Sequence, residues 1–81
     1  MKKFKVKLKD NRYGVRWDER KKALINRMVI IANKVVELGG TIEVRKHFDL
    51  RYPDSTMFVY LEESKISELG SLNEVENTRV V

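Results

Sequence analysis

The chain has 81 residues, enough for one small hydrophobic core, and we treat residues 1–81 as a single domain. It contains no cysteine, which excludes disulfides and thiolate metal sites, and with His47 as its one histidine it offers no zinc-binding pattern, so we expect no metal and no cofactor. The formal net charge of +5 fits an anionic partner and plain solubility equally well.

The N-terminal residues predict a β-strand with one charged face. Phe4, Val6 and Leu8 alternate with lysines at positions 3, 5, 7 and 9. This period of two puts the apolar side chains on one side of the strand and Lys5 and Lys7 on the other. Residues 10–16 are then expected to form a loop.

A long amphipathic helix is predicted from Asp18 to Leu38. Asp18 is a suitable N-cap, and Gly39 can adopt the left-handed conformation that ends a helix. The helical step gathers the apolar residues into two neighbouring stripes, with Trp17 on the same side: Leu24, Met28, Ile31, Val35 and Leu38 in the first, and Ile25, Val29, Ala32 and Val36 in the second. Such a wide apolar face indicates a helix that lies flat on a sheet.

One apolar residue of this helix projects from its polar side. Ile30 lies between Lys34 and Glu37 on that arc. It is either a tolerated exposed side chain or a contact with a partner or a second copy of the chain, which would make a homodimer through this face.

The C-terminal half begins with two more predicted strands. The second strand runs from Thr41 to Phe48, with Arg45 and His47 pointing outward, and a turn region follows over residues 49–55. The third strand alternates inward Met57, Val59 and Leu61 with outward Phe58 and Tyr60.

A short helix and a last strand complete the pattern. Ser64 can cap a helix that runs to about Leu69 and ends at Gly70, and Val75–Val81 predicts the final strand. The order strand, helix, strand, strand, helix, strand is the split βαβ pattern of ferredoxin-like folds. We therefore predict an α+β chain (βαββαβ) with a four-stranded antiparallel sheet and both helices on one face. The alternative is a meander with one dominant helix, if the Ser64 segment is only a turn.

The sheet face away from the helices is the candidate site. Its predicted occupants are Phe58, Tyr60, Lys5, Lys7, Arg45 and His47. Bases stack on aromatic rings and lysines neutralise phosphates, so this face is suited to RNA or another single-stranded nucleic acid. The spacing of Phe58 and Tyr60 resembles the aromatic pair of RNA-recognition motifs, although the glycine and basic residues expected before that pair are missing. The alternative is that both aromatics are ordinary strand residues that shield the sheet.

The C-terminal half also carries an ordered set of glycine, aliphatic and acidic positions. Gly39-Gly40 enters the second strand, a Leu-x-Glu-x-x-aliphatic-x-x-Leu run follows the third, and a valine opens the last strand. The matching residues of the run and the last strand are Leu61, Glu63, Ile66, Leu69 and Val75. In these positions, over about half its length, the chain resembles the subtilisin propeptide family and its stand-alone protease inhibitors. The N-terminal half departs from that family, because its loop and first helix are longer.

This resemblance implies a ferredoxin-like fold whose open sheet face packs on a protease and whose C-terminal tail enters the protease cleft. We therefore favour a protein partner and an inhibitory role, with nucleic acid as the alternative. Neither interpretation involves catalysis by this chain.

No catalytic motif is present, so we predict a non-enzymatic binding module. The sequence places no Ser or Cys nucleophile near His47 and Asp49, and Glu62-Glu63 fits solvated charge or helix capping. No apolar run follows Met1-Lys2-Lys3, and none elsewhere is long enough to span a bilayer. We therefore expect a cytoplasmic protein without membrane contact, unless the chain was cut from a larger precursor.

Overall fold

The computed structural model describes residues 1–10, 16–43 and 55–81. Its elements are, in chain order, β1 (Lys2–Leu8), α1 (Trp17–Glu37), β2 (Thr41–Ile42), β3 (Thr56–Leu61), a 3-10 turn (Glu63–Lys65), α2 (Ile66–Gly70) and β4 (Val75–Val80). The strands form one antiparallel sheet in the order β2-β3-β1-β4. The predicted α+β class, with a four-stranded antiparallel sheet and two helices, is confirmed.

The alternating strands bury one side of the sheet. In β1, Phe4, Val6 and Leu8 are all buried, and in β3 the same holds for Met57, Val59 and Leu61. The register pairs Phe4 with Val59 and Val6 with Met57, so the inward residues of the two central strands share a side. Both helices pack on that side, because Leu69 of α2 and three residues of α1 belong to the same buried cluster.

The first apolar stripe of α1 faces this core as predicted. Leu24, Ile31 and Val35 are fully buried, and Met28 and Leu38 are partly buried against the cluster. The prediction is wrong for two of the four residues of the second stripe, since Val29 is 53% exposed and Val36 is 66% exposed. A flat sheet covers only one arc of a helix, and α2, with five residues, is too short to cover a second.

The start of α1 also differs from the prediction. The helix begins at Trp17, and its N-cap is Arg16, which makes no side-chain capping bond. Asp18 therefore lies inside the first turn, where its charge still favours the positive end of the helix dipole. Trp17 is 42% exposed and not in the core, because it lies about 10 Å before Leu24, the first buried residue of α1. The guanidinium of Arg20 lies 5.1 Å from its ring centroid.

The same arginine anchors the helix to the end of β1. Arg20 donates two hydrogen bonds to the carboxylate of Asp10, at 2.7 and 2.6 Å, and the Asp10 side chain is only 6% exposed. These hydrogen bonds raise the pKa of Arg20 above its ordinary value. Further along the helix, Nη1 of Arg27 donates to the backbone oxygen of Lys9. Together these contacts fix the direction of α1 against the sheet.

Each of the two glycines after α1 has its own structural reason. Gly39 has a φ of 83°, the left-handed conformation predicted for it. Gly40 lies so close to β3 that a Cβ there would stand 2.4 Å from the backbone oxygen of Tyr60 and 2.8 Å from Cδ1 of Leu61. Glycine is therefore favoured at both positions where the chain turns from α1 into β2.

The segment after β3 is helical, so the alternative meander with one helix is wrong. It starts as the 3-10 turn and continues as α2, but neither helix has a side-chain cap, and Ser64 does not serve as one. The reason is that the 3-10 turn already includes Ser64, which places it inside the helical segment. Leu69 is buried and Ile66 packs against the core, as predicted.

Part of the predicted second strand lies outside the described residues. β2 is described at Thr41–Ile42, and Ile42 packs against the core as expected. The remainder of that prediction, with the turn over 49–54 and residues 11–15 of the first loop, falls beyond the described ranges. Among the residues that are described, no helix combines the length and the apolar content needed to cross a bilayer.

Candidate functional site

The sheet face opposite the helices carries lysines and aromatic residues side by side. On β1, Lys3, Lys5 and Lys7 alternate with the buried residues, and on β3 Phe58 and Tyr60 do so. The register sets Lys5 opposite Phe58 and Lys3 opposite Tyr60, on the two central strands. The structure thus brings together four of the six predicted site residues, and the other two, Arg45 and His47, lie outside the described residues.

The two aromatic side chains are half-buried rather than fully exposed. Nζ of Lys3 lies 5.0 Å from the centroid of the Phe58 ring, within reach of a cation–π interaction. The same ammonium forms an ion pair with Oε1 of Glu43 at 3.0 Å. Lys3 is therefore engaged within the chain, and part of the Phe58 ring lies beneath it.

A row of three residues crosses the middle of this face. Lys5 on β1 pairs in register with Phe58 on β3 at one side and with Arg79 on β4 at the other. Neither Lys5 nor Arg79 has an acidic partner within the part of the chain that the structure describes. Like charges directly opposite each other on neighbouring strands are destabilising. An anionic group placed over this pair would relieve that repulsion.

Beside this row, Lys7 forms an ion pair that partly neutralises its charge. Nζ of Lys7 lies 3.5 Å from Oε2 of Glu76, and both side chains are half exposed. An open depression of about 420 Å³ lies on this part of the sheet, and its lining includes Lys5, Lys7, Thr56, Asn77 and Arg79. Cations, a hydroxyl and an amide at its surface are groups that bind carboxylate or phosphate oxygens.

Sequence reasoning missed the contribution of β4 to this face. Arg79 and Asn77 reach it because β4 pairs with β1, with a register shift between Lys7 and Leu8. In the run from Glu76 to Arg79 every residue is polar, so the alternation carries no signal of which side faces the core. Only the pairing with β1 reveals their position.

The central strands give this face a defined set of chemical groups. It offers the partly exposed rings of Phe58 and Tyr60 beside positively charged groups on the central strands. Within residues 1–10, 16–43 and 55–81, no three acidic, histidine or cysteine side chains are grouped so that they could hold a metal ion. Comparison of the chain with protein-family models, with curated proteins and with solved structures gives no match.

Proposed function

We propose that this chain is a non-enzymatic binding module that docks on another protein through its open sheet face. The observation that carries the proposal is the position of Phe58 and Tyr60, half-buried at the centre of a face that neither of the described helices covers. Aromatic residues at the centre of an interface commonly contribute a large share of the binding energy. Lys5 and Arg79 beside them favour a partner surface that joins an apolar patch to a carboxylate.

The proposal includes the ferredoxin-like fold and the inhibitory role that the family resemblance implies. The strand order β2-β3-β1-β4, with one helix after β1 and one after β3, supports a split βαβ arrangement. Leu61, Leu69 and Val75, three of the positions that carry the resemblance, are buried in the core. The proposed target is a subtilisin-type serine protease, bound by the open face.

Inhibition kinetics test this role directly. The purified chain is titrated against a subtilisin-type protease with a chromogenic peptide substrate, and we expect inhibition that Phe58→Thr/Tyr60→Thr weakens at least about 30-fold, the equivalent of about 2 kcal/mol. Threonine keeps the strand propensity of the replaced residues. Trp17→Ala, which removes an exposed aromatic residue from α1, is the matched control and should inhibit like the unchanged chain. Absence of inhibition at about 100 µM chain would contradict the inhibitory role.

A second candidate function, binding of single-stranded nucleic acid, is favoured by the row Phe58, Lys5 and Arg79. The part of the Phe58 ring not covered by Lys3 can stack a base, and Lys5 and Arg79, which have no acidic partner among the described residues, can neutralise the adjoining phosphates. Fluorescence anisotropy with a labelled mixed-sequence RNA at several salt concentrations separates the two functions. Sub-micromolar binding with a steep salt slope, lost in Lys5→Ala/Arg79→Ala, would favour this candidate. For a protein-docking module we expect no tight binding to such an RNA at physiological salt.

A further inference from the structure

The outward side of α1 forms a second uncovered surface, separate from the open sheet face. Its exposed residues follow the helical repeat along most of the helix: Lys22, Asn26, Val29, Ile30, Asn33, Val36 and Glu37. We call this surface the α1 face. It points away from the sheet, because the opposite side of α1 packs on the core.

The centre of the α1 face is apolar. Ile30 is 43% exposed and Val29 is 53% exposed, and these two branched aliphatic side chains form a patch at the middle of the face, with the exposed Val36 about two turns further along the helix. Single exposed aliphatic residues are common on protein surfaces, but a contiguous patch with polar residues around it is typical of an interaction site. Ile30 is thus exposed as the sequence indicates, and its neighbours enlarge the patch.

The charges on the α1 face lie at its two ends and have opposite signs. Lys22 and Glu37 are fifteen positions apart, or about 22 Å along the helix. Lys22 has no ion-pair partner among the described residues. Glu37 is 69% exposed, and its one described contact is to Lys34 at 3.5 Å. Both charged side chains are exposed, so a partner can reach them.

We propose that the α1 face pairs with a second copy of itself, with the two helices antiparallel about a two-fold axis. The midpoint between Lys22 and Glu37 falls between Val29 and Ile30, in the apolar patch. An axis at this midpoint sets Lys22 opposite Glu37 of the partner subunit, and the reverse pair follows by symmetry.

The same axis also pairs the polar residues that lie between the charges and the patch. Asn26 and Asn33 are equally far from the midpoint, so the axis sets each opposite the other amide of the second copy. A parallel pairing would set Lys22 against Lys22 and Glu37 against Glu37. Antiparallel helix dipoles also attract each other. The charge pattern of the α1 face therefore selects the antiparallel arrangement.

Such a dimer would present two binding faces at once. Each α1 lies on the side of its sheet opposite the open face, so joining two copies through α1 leaves both open faces on the outside. A target with two suitable surfaces would then be bound with avidity. The dimer itself rests on the α1 face alone and does not depend on the proposed function.

Sedimentation equilibrium over about 10–500 µM tests the proposal, since a contact made by one helix per subunit is at the small end of protein interfaces. We expect a reversible monomer–dimer equilibrium. Lys22→Glu alone and Glu37→Lys alone should each weaken the dimer about tenfold or more, because each replaces two attractions with two repulsions. The double variant Lys22→Glu/Glu37→Lys restores the attraction with the signs reversed, and we expect its dimer to be as stable as that of the unchanged chain.

The outcome of the charge exchange distinguishes this dimer from any other. Failure of the double variant to recover dimerisation would overturn the antiparallel arrangement, and a chain that stays monomeric over the whole range would overturn the dimer. Val29→Asp removes the apolar contact at an exposed position, so it should abolish the dimer without unfolding the chain. A dimer that persists in Val29→Asp would show that another surface joins the copies. Far-ultraviolet circular dichroism of each variant checks that the fold is retained.

Discussion

Two neighbouring isoleucines of α1 give the sharpest test of how the helix sits on the sheet. Ile31 is fully buried and Ile30 is 43% exposed, and alanine replaces the same side chain at both positions. The Ile31→Ala change removes three buried carbons, about 2.4 kcal/mol at about 0.8 kcal/mol each, and the cavity left behind adds to this. We expect a total loss of about 3 kcal/mol in the free energy of unfolding.

The matched Ile30→Ala change should lower the free energy of unfolding much less than Ile31→Ala does. About half of its side chain is already in contact with water, and the better helix propensity of alanine returns up to about 0.5 kcal/mol. The expected net loss is below about 1 kcal/mol. Urea unfolding followed by circular dichroism at 222 nm measures both values, at about 5 µM chain so that dimerisation does not contribute. Losses within about 0.5 kcal/mol of each other would refute the orientation of α1, and with it the α1 face.

Two further predictions concern the ends of α1, and thermal unfolding tests both. Gly40→Ala should lower the free energy of unfolding by about 1–3 kcal/mol, because the added Cβ meets a backbone oxygen of β3. Gly39→Ala should lower it by about 1–2 kcal/mol, because alanine is strained in the left-handed backbone conformation of that position. A neutral effect at Gly40 would mean that the chain does not pass this close to β3. Arg20→Gln should lower the unfolding midpoint because the carboxylate of Asp10, at 6% exposure, loses two hydrogen bonds from a charged donor, whereas Arg16→Gln at an 84% exposed site should not. Equal midpoints for these two variants would contradict the anchoring role of Arg20.

The sequence predicts the strands well where one face of the sheet is buried and the other is not. In β1 and β3 the apolar residues recur at every second position, so the burial of Val6 and Val59 and the outward position of Phe58 follow from the pattern. In β4 the residues from Glu76 to Arg79 are all polar, and their side of the sheet depends on pairing with β1. Register is a long-range property, which explains why the Lys5–Arg79 pair could not be found from local alternation.

The errors in α1 have a different physical origin. Helical periodicity shows which residues share a side of the helix, but it does not show how much of that side the sheet will cover. The first stripe, represented by Ile31 and Val35, is covered, whereas Val29 and Val36 of the second stripe are not. Trp17 shares the apolar side but precedes the first buried helical residue by about two turns. The width and the length of the contact between α1 and the sheet depend on the sheet and not on the helix sequence.

The apolar side of α1 is wider than the part that the sheet covers, and this difference connects the fold with the proposed dimer. A helix that only needed to cover one sheet would require a single stripe, and additional branched aliphatic residues beside it would gain nothing from the core. On α1 the exposed Val29 and Ile30 lie at the midpoint between Lys22 and Glu37, and Asn26 and Asn33 are equally far from that midpoint. A pattern that is symmetric about its own midpoint, with opposite charges at the two ends, is complementary to an antiparallel copy of itself. The open sheet face lacks this symmetry, since Lys5 and Arg79, its charges without an acidic partner among the described residues, are both positive, and two copies of that face would repel each other.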